Sequence, residues 1–168
     1  IADIGLEVHA ELQTKSKMFC ACPVVDLTQT PPNIATCPIC AGMPGTLPMV
    51  NQQAVEDALR VALALDCKIA LTSQFARKNY FYPDLPKGYQ ISQYAFPLAE
   101  KGVLPVRIDE GWLDVRIRRV HLEEDTAKLT HIQRTQGESY SLIDLNRAGI
   151  PLLEIVSEPD MHTIEQVS

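Results

Sequence analysis

Residues 103–125 read VLPVRIDEGWLDVRIRRVHLEED and contain two apolar runs, which predict short strands. Two further runs of this kind follow, YSLIDLN at 140–146 and PLLEIVS at 151–157. The apolar phase of the second strand slips near Arg118 and Arg119, which predicts a β-bulge at that point. The segment HIQRTQGES, 131–139, is typical of a solvated hairpin loop.

Residues 4–13 predict another strand, because apolar and polar side chains alternate along them. The apolar face carries Leu6, Val8, Ala10 and Leu12. The opposite face carries Glu7, His9, Glu11 and Gln13. Such a period of two indicates a half-buried strand whose wet face presents two carboxylates and an imidazole in a row.

The sequence NQQAVEDALRVALALDC, 51–67, predicts a helix of about fourteen residues with Asn51 as its N-cap. The apolar side chains at helical spacing are Ala54, Val55, Ala58, Leu59, Ala62 and Leu65. Residues 18–50 are rich in Cys, Pro, Thr and Gly and predict a compact irregular insert. One helix with several strands predicts an α+β fold around a mostly antiparallel sheet.

Length, charge and hydropathy narrow the class of protein. The 168 residues suffice for one domain with a core, and the net charge of −6 argues against a surface coated with basic groups for non-specific nucleic-acid binding. No window approaches the apolar length of a membrane span, and the first residues lack the pattern of a signal peptide. We therefore expect a soluble, intracellular protein without a membrane partner. The first residue is Ile, so we expect a piece of a longer chain.

Four cysteines within the insert have the spacing of a metal site. They are Cys20, Cys22, Cys37 and Cys40, a CxC and a CPxC pair separated by fourteen residues. Four thiolates can close a tetrahedral structural zinc site and leave no open position for catalysis. The alternative is a set of unrelated buried cysteines, whereas disulfides are rare inside cells. The fifth cysteine, Cys67, follows the helix and is expected in the core.

Three consecutive carboxylates, Glu123, Glu124 and Asp125, follow an apolar strand in HLEEDTAK, 121–128. A charge run is usually a solvated loop. However, Glu154 interrupts the apolar run 150–156, where a carboxylate requires a partner or an ion. If these strands are neighbours of the strand with Glu7 and His9, the carboxylates converge and Mg²⁺ would relieve their repulsion. Phosphoryl transfer uses such a site, although the chain has no GxxxxGK[ST] loop.

The segment RKNYFYPDLPKGYQISQY, 77–94, concentrates aromatic side chains between prolines and polar residues. It contains four of the five tyrosines, Tyr80, Tyr82, Tyr89 and Tyr94. Its prolines disfavour a long helix or a central strand. Aperiodic spacing favours a binding surface over a core, and the alternative is that the rings pack this segment against the sheet.

Together these motifs resemble the N-terminal catalytic region of the B subunits of aspartyl/glutamyl-tRNA(Asn/Gln) amidotransferases. The matching stretches are IGLEVHAELQTKSKMFC, CPICAGMPGTLPMVN, RKNYFYPDLPKGYQISQY, HLEEDTAK and LIDLNRAGIPLLEIVSEPD. The resemblance runs from about Ile4 to Asp160 and implies a catalytic fold similar to glutamine synthetase and guanidino kinases. It also implies that residues 1–168 are part of the catalytic domain of a longer polypeptide, with 18–50 as its zinc-binding insert.

The resemblance implies an enzyme that uses ATP and Mg²⁺ to phosphorylate the side-chain carboxylate of Glu-tRNA(Gln) or Asp-tRNA(Asn). Ammonia from a partner glutaminase (A) subunit then displaces the phosphate, and the heterotrimer is completed by a small (C) subunit. The implied location is the cytoplasm, bacterial or within an organelle. We expect no complete amidation by this piece alone, because it lacks the portions that hold the tRNA body.

Matching positions imply which residues carry these roles. The expected catalytic and Mg²⁺ centre comprises Glu7, His9, Glu124 and Glu154, with Glu123 and Asp125 as neighbours. The expected substrate-binding residues are Lys78, Tyr80, Tyr82 and Lys87. Further candidate cations are Arg118, Arg119, Lys128 and Arg147. Thr126-Ala127 stands where the family pattern leads us to expect a small Ala-Gly pair.

Two other functions are compatible with these motifs. A zinc-ribbon RNA-binding module would explain the cysteines and the aromatic segment, and its acidic cluster would bind neither Mg²⁺ nor nucleotide. An unrelated ATP-dependent carboxylate ligase would explain the carboxylates but not the aromatic segment.

Overall fold

The computed structural model describes residues 2–109, 111–133 and 137–168. One helix lies among them, α1 (Gln52–Ala64). The strands are β1 (Glu7–Glu11), β2 (Lys68–Ile69), β3 (Ala76–Asn79), β4 (Tyr89–Ser92), β5 (Ala99–Ile108), β6 (Gly111–Glu124), β7 (Lys128–Ile132), β8 (Tyr140–Asp144) and β9 (Pro151–Ser157).

The main sheet has five strands in the order β1-β9-β6-β5-β2, and every neighbouring pair is antiparallel. This arrangement confirms the predicted α+β class. The pairs β3-β4 and β7-β8 form two separate two-stranded sheets. The pairing of β6 with β9 shifts register between Ile117 and Arg119, which confirms the predicted bulge.

Helix α1 covers the half of the main sheet formed by β6, β5 and β2. Asn51 caps it as predicted, because its side chain accepts hydrogen bonds from the amides of Gln53 and Ala54. The residues buried on its inner face are the alanines Ala54, Ala58 and Ala62. Small side chains on this face let the helix lie close to the sheet, and the core continues into the buried residues of β6 and β9.

Strand β1 is shorter and more exposed than its alternation predicts. It spans five residues, and Leu6 and Val8 are 36% and 46% exposed, so their predicted burial is wrong. The reason is position, because β1 lies at the sheet edge and α1 covers the opposite half. Leu12, by contrast, is buried in the core as predicted.

The predicted hairpin loop begins too early, because His131 and Ile132 belong to β7. Of that loop, residues 134–136 lie outside the described residues. Strands β2, β3, β4 and β7 were not predicted, since each is short and carries too little apolar period to be recognised.

The cysteine-rich insert is irregular, as predicted. Between Glu11 and Gln52 the described chain contains no helix or strand, and a single isolated bridge joins Ser16 to Pro23. Cys67 is buried in the core, which confirms its expected position. Among the described residues, no helix has both the length and the hydropathy needed to cross a bilayer.

Candidate functional site

The candidate site is built on three adjacent strands of the main sheet. Glu154 in β9 lies opposite His9 in β1 and opposite His121 in β6, so these side chains form one row across the sheet. Side chains alternate along a strand, and Glu123 therefore shares the face of His121. Register and alternation together bring two imidazoles and two carboxylates to one face.

Short contacts join these four side chains. His9 Nε2 lies 3.2 Å from Glu123 Oε1 and 3.4 Å from Glu154 Oε2. His121 Nε2 lies 3.2 Å from Glu154 Oε2 and 3.7 Å from Glu123 Oε2. The side chains of Glu123, His121 and Glu154 are at most 9% exposed, whereas His9 is 46% exposed. The cluster is thus buried at Glu123, His121 and Glu154 and open to solvent at His9.

The donor set of this cluster fits a hard divalent cation. One donor atom each from His9, Glu123 and Glu154 lies within 4.8 Å of the other two. Glu123 Oε2 and His121 Nδ1 are buried without a hydrogen-bond partner. Buried polar atoms normally find partners, so a carboxylate oxygen that lacks a hydrogen bond and lies 3.7 Å from His121 Nε2 can serve a bound cation.

Neighbouring groups hold Glu123 in its ionised form. Burial by itself raises the pKa of this carboxyl, but the His121 imidazole and the charges of His9 and Lys78 lower the pKa below its ordinary value. A carboxylate that remains charged while buried is suited to bind a cation.

Glu7 lies two residues before His9, and therefore on the same face, but it is not among the three grouped ligands. It borders a cleft of about 330 Å³ together with His121 and Glu154. The cations that border the same cleft are Arg77, Lys78 and Arg119. The cleft therefore places positive side chains beside the acidic cluster.

Glu124 lies on the opposite face of β6, and the structure does not bring it to His9 and Glu154. Its Oε1 lies 2.7 Å from Lys87 Nζ and accepts a hydrogen bond from the Ile91 amide at 3.1 Å. Burial raises the pKa of Glu124, and the charge of Lys87 partly offsets this rise. Glu124 and Lys87 border a second cavity of about 190 Å³, which Cys20 and Cys40 also line.

The remaining candidate cations have different positions. Arg119 packs over the Tyr94 ring at 4.2 Å and has a buried Nε without a partner. Arg118 pairs with Glu158, outside the cleft. Arg147 donates to the backbone carbonyl of Thr126 and lies 3.6 Å from Asp125, and Lys128 lies at the exposed start of β7.

Three of the four tyrosines of the tyrosine-rich segment, residues 77–94, are exposed. Tyr80, Tyr82 and Tyr94 are 38%, 53% and 69% exposed. Tyr89 instead packs against the core, with Arg77 over its ring at 4.7 Å. Burial and the charges of Asp84 and Glu123 raise the pKa of Tyr80.

The four cysteines of the insert converge. Their four sulfur atoms, in Cys20, Cys22, Cys37 and Cys40, all lie within 4.8 Å of one another. Cys40 Sγ is 3.9 Å from both Cys22 Sγ and Cys37 Sγ. A tetrahedron with Zn–S bonds of about 2.3 Å has sulfurs about 3.8 Å apart, so this donor set fits zinc.

The thiols of this cluster differ in acidity. A hydrogen bond from Cys20, which outweighs burial, lowers the pKa of Cys40 to about 4. The Cys37 amide and the charge of Lys17 also lower the pKa of Cys40. The pKa of Cys20 is raised by the same hydrogen bond and by burial.

His121 is the site residue that the sequence reasoning missed. It stands at the start of HLEED, and its spacing from Glu123 repeats the spacing of Glu7 and His9. The same alternation that selected Glu7 and His9 could have identified it. The register that places it beside Glu154, however, required the pairing of distant strands.

Residues 2–168 match the family described as GatB/GatE catalytic domain, and the chain belongs to this family. It is also similar to proteins named as the B subunit of aspartyl/glutamyl-tRNA(Asn/Gln) amidotransferase. The protein from Thermomicrobium roseum is 58% identical over 163 residues, which cover 97% of this chain and 33% of the relative. The protein from Thermotoga maritima is 56% identical over 163 residues, 94% of this chain and 33% of the relative.

A relative of the same name from Methanospirillum hungatei is 56% identical over 160 residues, 95% of this chain and 34% of the relative. The chain thus spans about a third of the length of the curated relatives it matches.

Proposed function

We propose that this chain carries the carboxylate-activating centre of a tRNA-dependent amidotransferase. The observation that carries the proposal is the cluster of His9, Glu123 and Glu154 beside a cleft lined by Arg77, Lys78 and Arg119. Anionic ligands and cationic side chains are both needed where a phosphate must meet a carboxylate. The relatives' names and the description of the family as a catalytic domain support this function.

The proposed reaction has two steps. A side-chain carboxylate oxygen of the tRNA-bound glutamate or aspartate attacks the γ-phosphorus of ATP, and the bond to the ADP oxygen breaks. Ammonia then attacks the acyl carbon, and phosphate leaves with the former carboxylate oxygen, giving the amide. Activation is necessary because a carboxylate at neutral pH is a poor electrophile. In the proposed assembly, a glutaminase (A) subunit supplies the ammonia, and the third partner is a small (C) subunit.

The chain's own residues orient and neutralise the reactants in this proposal. His9, Glu123 and Glu154 would hold Mg²⁺, which would screen the charges of the phosphate and the carboxylate. Glu7 faces the same cleft and contributes a further oxygen. Lys78 and Arg119 neutralise phosphate oxygens from the cleft wall. The antiparallel sheet that displays these groups is in keeping with the fold of glutamine synthetase and guanidino kinases.

The tyrosine-rich segment receives the acylated 3′ end of the tRNA. Exposed rings at Tyr80 and Tyr82 stack on unpaired bases, and Lys78 contacts phosphate. The resemblance implies that Lys87 binds substrate. We instead assign Lys87 to neutralising the buried Glu124, because the two side chains form an ion pair. Direct substrate contact therefore depends on Lys78 rather than Lys87.

The insert, residues 18–50, holds a structural zinc ion at Cys20, Cys22, Cys37 and Cys40. Four thiolates saturate the metal, so it stabilises this irregular segment and takes no part in catalysis. Residues 1–168 form part of the catalytic domain of a longer polypeptide in this proposal, which the coverage of about a third of the relatives' length supports.

The test separates the two faces of β6. In the full-length subunit, Glu123→Gln should weaken Mg²⁺ binding, measured by calorimetric titration, whereas Glu124→Gln should leave Mg²⁺ affinity within about threefold of wild type. Ammonia-driven amidation of Glu-tRNA(Gln) with ATP, in the complete assembly, should fall by at least about 100-fold in Glu123→Gln. Added ammonia bypasses glutamine hydrolysis, so the assay reports the chemistry assigned to this chain.

Glu100→Gln serves as the control, because Glu100 lies on β5 and contacts only Lys101 among the ion pairs of the described residues. This variant should amidate at the wild-type rate. Normal amidation by Glu123→Gln would refute the proposed centre. Loss of Mg²⁺ binding in Glu124→Gln but not in Glu123→Gln would show that Glu124, as expected from the sequence, is the metal ligand in place of Glu123.

The zinc-ribbon RNA-binding module is not favoured by the description of the family as a catalytic domain. It would become the better explanation if tRNA, but neither Mg²⁺ nor ATP, bound to the wild-type protein.

A further inference from the structure

Lys17 is a lysine side chain buried without exposure inside the protein. It lies in the segment before the first cysteine pair. Among the described residues, it is the largest side chain that is fully buried. Burying an ammonium group is costly unless a partner of opposite charge or several acceptors compensate for the lost water. The contacts of the Lys17 amine therefore indicate which groups compensate for its burial.

The ammonium group has two contacts. Lys17 Nζ donates to the carbonyl oxygen of Leu145 at 3.0 Å and lies 3.6 Å from Cys40 Sγ. Within the described residues, no carboxylate oxygen lies within 4.0 Å of this nitrogen. The side-chain partner that the structure offers to Lys17 is thus a sulfur of the four-cysteine cluster.

The backbone around Lys17 fixes this geometry. The Lys17 amide donates to the carbonyl of Cys22 at 2.9 Å, and the next amide donates to the carbonyl of Gly149 at 2.7 Å. Gly149 has φ +86°, and a Cβ built there would lie 3.5 Å from Lys17 Cδ and 3.7 Å from Cys40 Cβ. The lysine stem therefore runs between the cysteine cluster and the turn that precedes β9.

We propose that Lys17 is the buried counter-charge of the four-cysteine metal site. Four thiolates around Zn²⁺ carry a net charge of −2, and a buried site with this charge is stabilised by a cation that donates to one of its sulfurs. Lys17 is a positioning residue that acts through Cys40. The inference rests on the proposed zinc site and goes beyond it, because the four cysteines alone do not require a charged neighbour.

The hydrogen bond to Leu145 gives Lys17 a second consequence. The same amine joins the metal site to the turn before β9, the strand that carries Glu154. Metal binding at the cysteine site should therefore affect this turn, although the cysteine cluster and the acidic cluster have no ligand in common.

Two variants separate the charge of Lys17 from its hydrogen bond. Lys17→Gln keeps a donor for the Leu145 carbonyl and loses the charge, whereas Lys17→Met loses both. Lys15→Met is the matched control, because Lys15 is exposed in the same segment. The measurement is zinc affinity by competition with a chromophoric chelator, together with the absorption bands of the Co²⁺-substituted protein.

Zinc affinity should fall by about 10- to 100-fold in both Lys17 variants and remain unchanged in Lys15→Met. The thiolate-to-Co²⁺ bands should shift in the Lys17 variants, because one sulfur loses its charged donor. Wild-type affinity in Lys17→Gln would overturn the proposal and leave the zinc site intact. Absence of zinc binding by the wild-type protein would instead refute the zinc site itself.

If the Lys17 variants do not fold, the wild-type protein provides the test. The ¹⁵N resonance of the Lys17 ammonium group should shift, and its proton exchange should slow, when zinc is added to the metal-free protein. A resonance that does not respond to zinc overturns the proposal.

Discussion

Glu123 and Glu124 are adjacent in the chain, yet they face opposite sides of β6. Glu123 contacts His9 at 3.2 Å, whereas Glu124 contacts Lys87 at 2.7 Å. The period of two in a strand makes this separation unavoidable for any pair of neighbours. The residue-level roles of the two glutamates must therefore differ, whatever ligand occupies either side.

Tyr82 provides a prediction at the residue scale. Its ring is 53% exposed, so Tyr82→Ala should leave folding intact and weaken binding of acylated tRNA by about 1–3 kcal/mol, the range for a ring that stacks on one base. The measurement is a binding titration with the full-length subunit in its assembly. Tyr140→Ala is the control, because Tyr140 is an exposed tyrosine outside the segment. Equal tRNA affinity in both variants would show that Tyr82 contacts no base.

Elements of this fold depend on caps and ion pairs near their ends. Asn51 both caps α1 and donates through Nδ2 to the Ser16 carbonyl at 3.0 Å, so it fixes the start of the helix to the segment before the insert. Arg116 and Asp160 similarly join β6 to the segment that follows β9.

Asn51→Ala should lower the free energy of unfolding by about 0.5–2 kcal/mol, since the first turn of α1 loses the acceptor of two amides. Urea denaturation measures the change. Gln52→Ala, one residue along, removes an exposed side chain that contacts Glu56, and it should have a much smaller effect. A cap that contributes nothing would give the two variants equal stability.

Asp160 predicts a pH dependence of stability. Hydrogen bonds from Arg116 lower its pKa from 3.8 to about 2. A lowered carboxyl pKa contributes stability that is present above the unfolded value and lost as the pH falls through the folded value. Asp160→Asn should therefore be less stable than wild type at neutral pH, and this difference should shrink as the pH falls from about 4 towards 2.

Urea denaturation at a series of pH values measures this difference. Asp114→Asn is the control, because Asp114 is an exposed carboxylate on β6, the strand that carries Arg116. A stability difference between wild type and Asp160→Asn that is constant with pH would contradict the assignment of the shift to this ion pair.

The elements that could be predicted from the sequence are those with a long period. The helix after Asn51 and the strands β5, β6 and β9 repeat their apolar pattern over many residues, and all were predicted. The exposure of Val8 could not be predicted, because it depends on which strand lies at the edge of the sheet. The convergence of His121 with Glu154 depends on register between strands that are distant in sequence, which a local pattern does not specify.

On the scale of the whole molecule, β6 separates two regions with different chemistry. One face carries the acidic cluster, and Glu124 on the other face borders a cavity that Cys20 and Cys40 also line. The described part of the insert contains no helix or strand, so its conformation depends on local turns, on hydrogen bonds from Asn33 and Ala35 to the end of β8 and the segment after it, on the cysteine cluster and on the contacts around Lys17.

Cys37→Ala tests this dependence. The variant should lose the zinc ion, about one per chain in the wild-type protein, and its melting temperature should fall by about 2–8 °C, the shift that a loss of 1–2 kcal/mol produces in a domain of this size. A chelator should lower the melting temperature of the wild-type protein and have no further effect on the variant. Elemental analysis and calorimetry measure the two quantities.

Cys67→Ala is the matched control, because Cys67 is a buried cysteine in the core and not one of the four grouped sulfurs. It should retain zinc and its sensitivity to the chelator, even though it removes a buried side chain. If Cys37→Ala retains zinc, or if the chelator destabilises wild type and variant equally, then the cluster is not the metal site. The insert would in that case be held by its hydrogen bonds to the end of β8 and the segment after it, such as those that the Asn33 and Ala35 amides donate to Asp144 and Asn146.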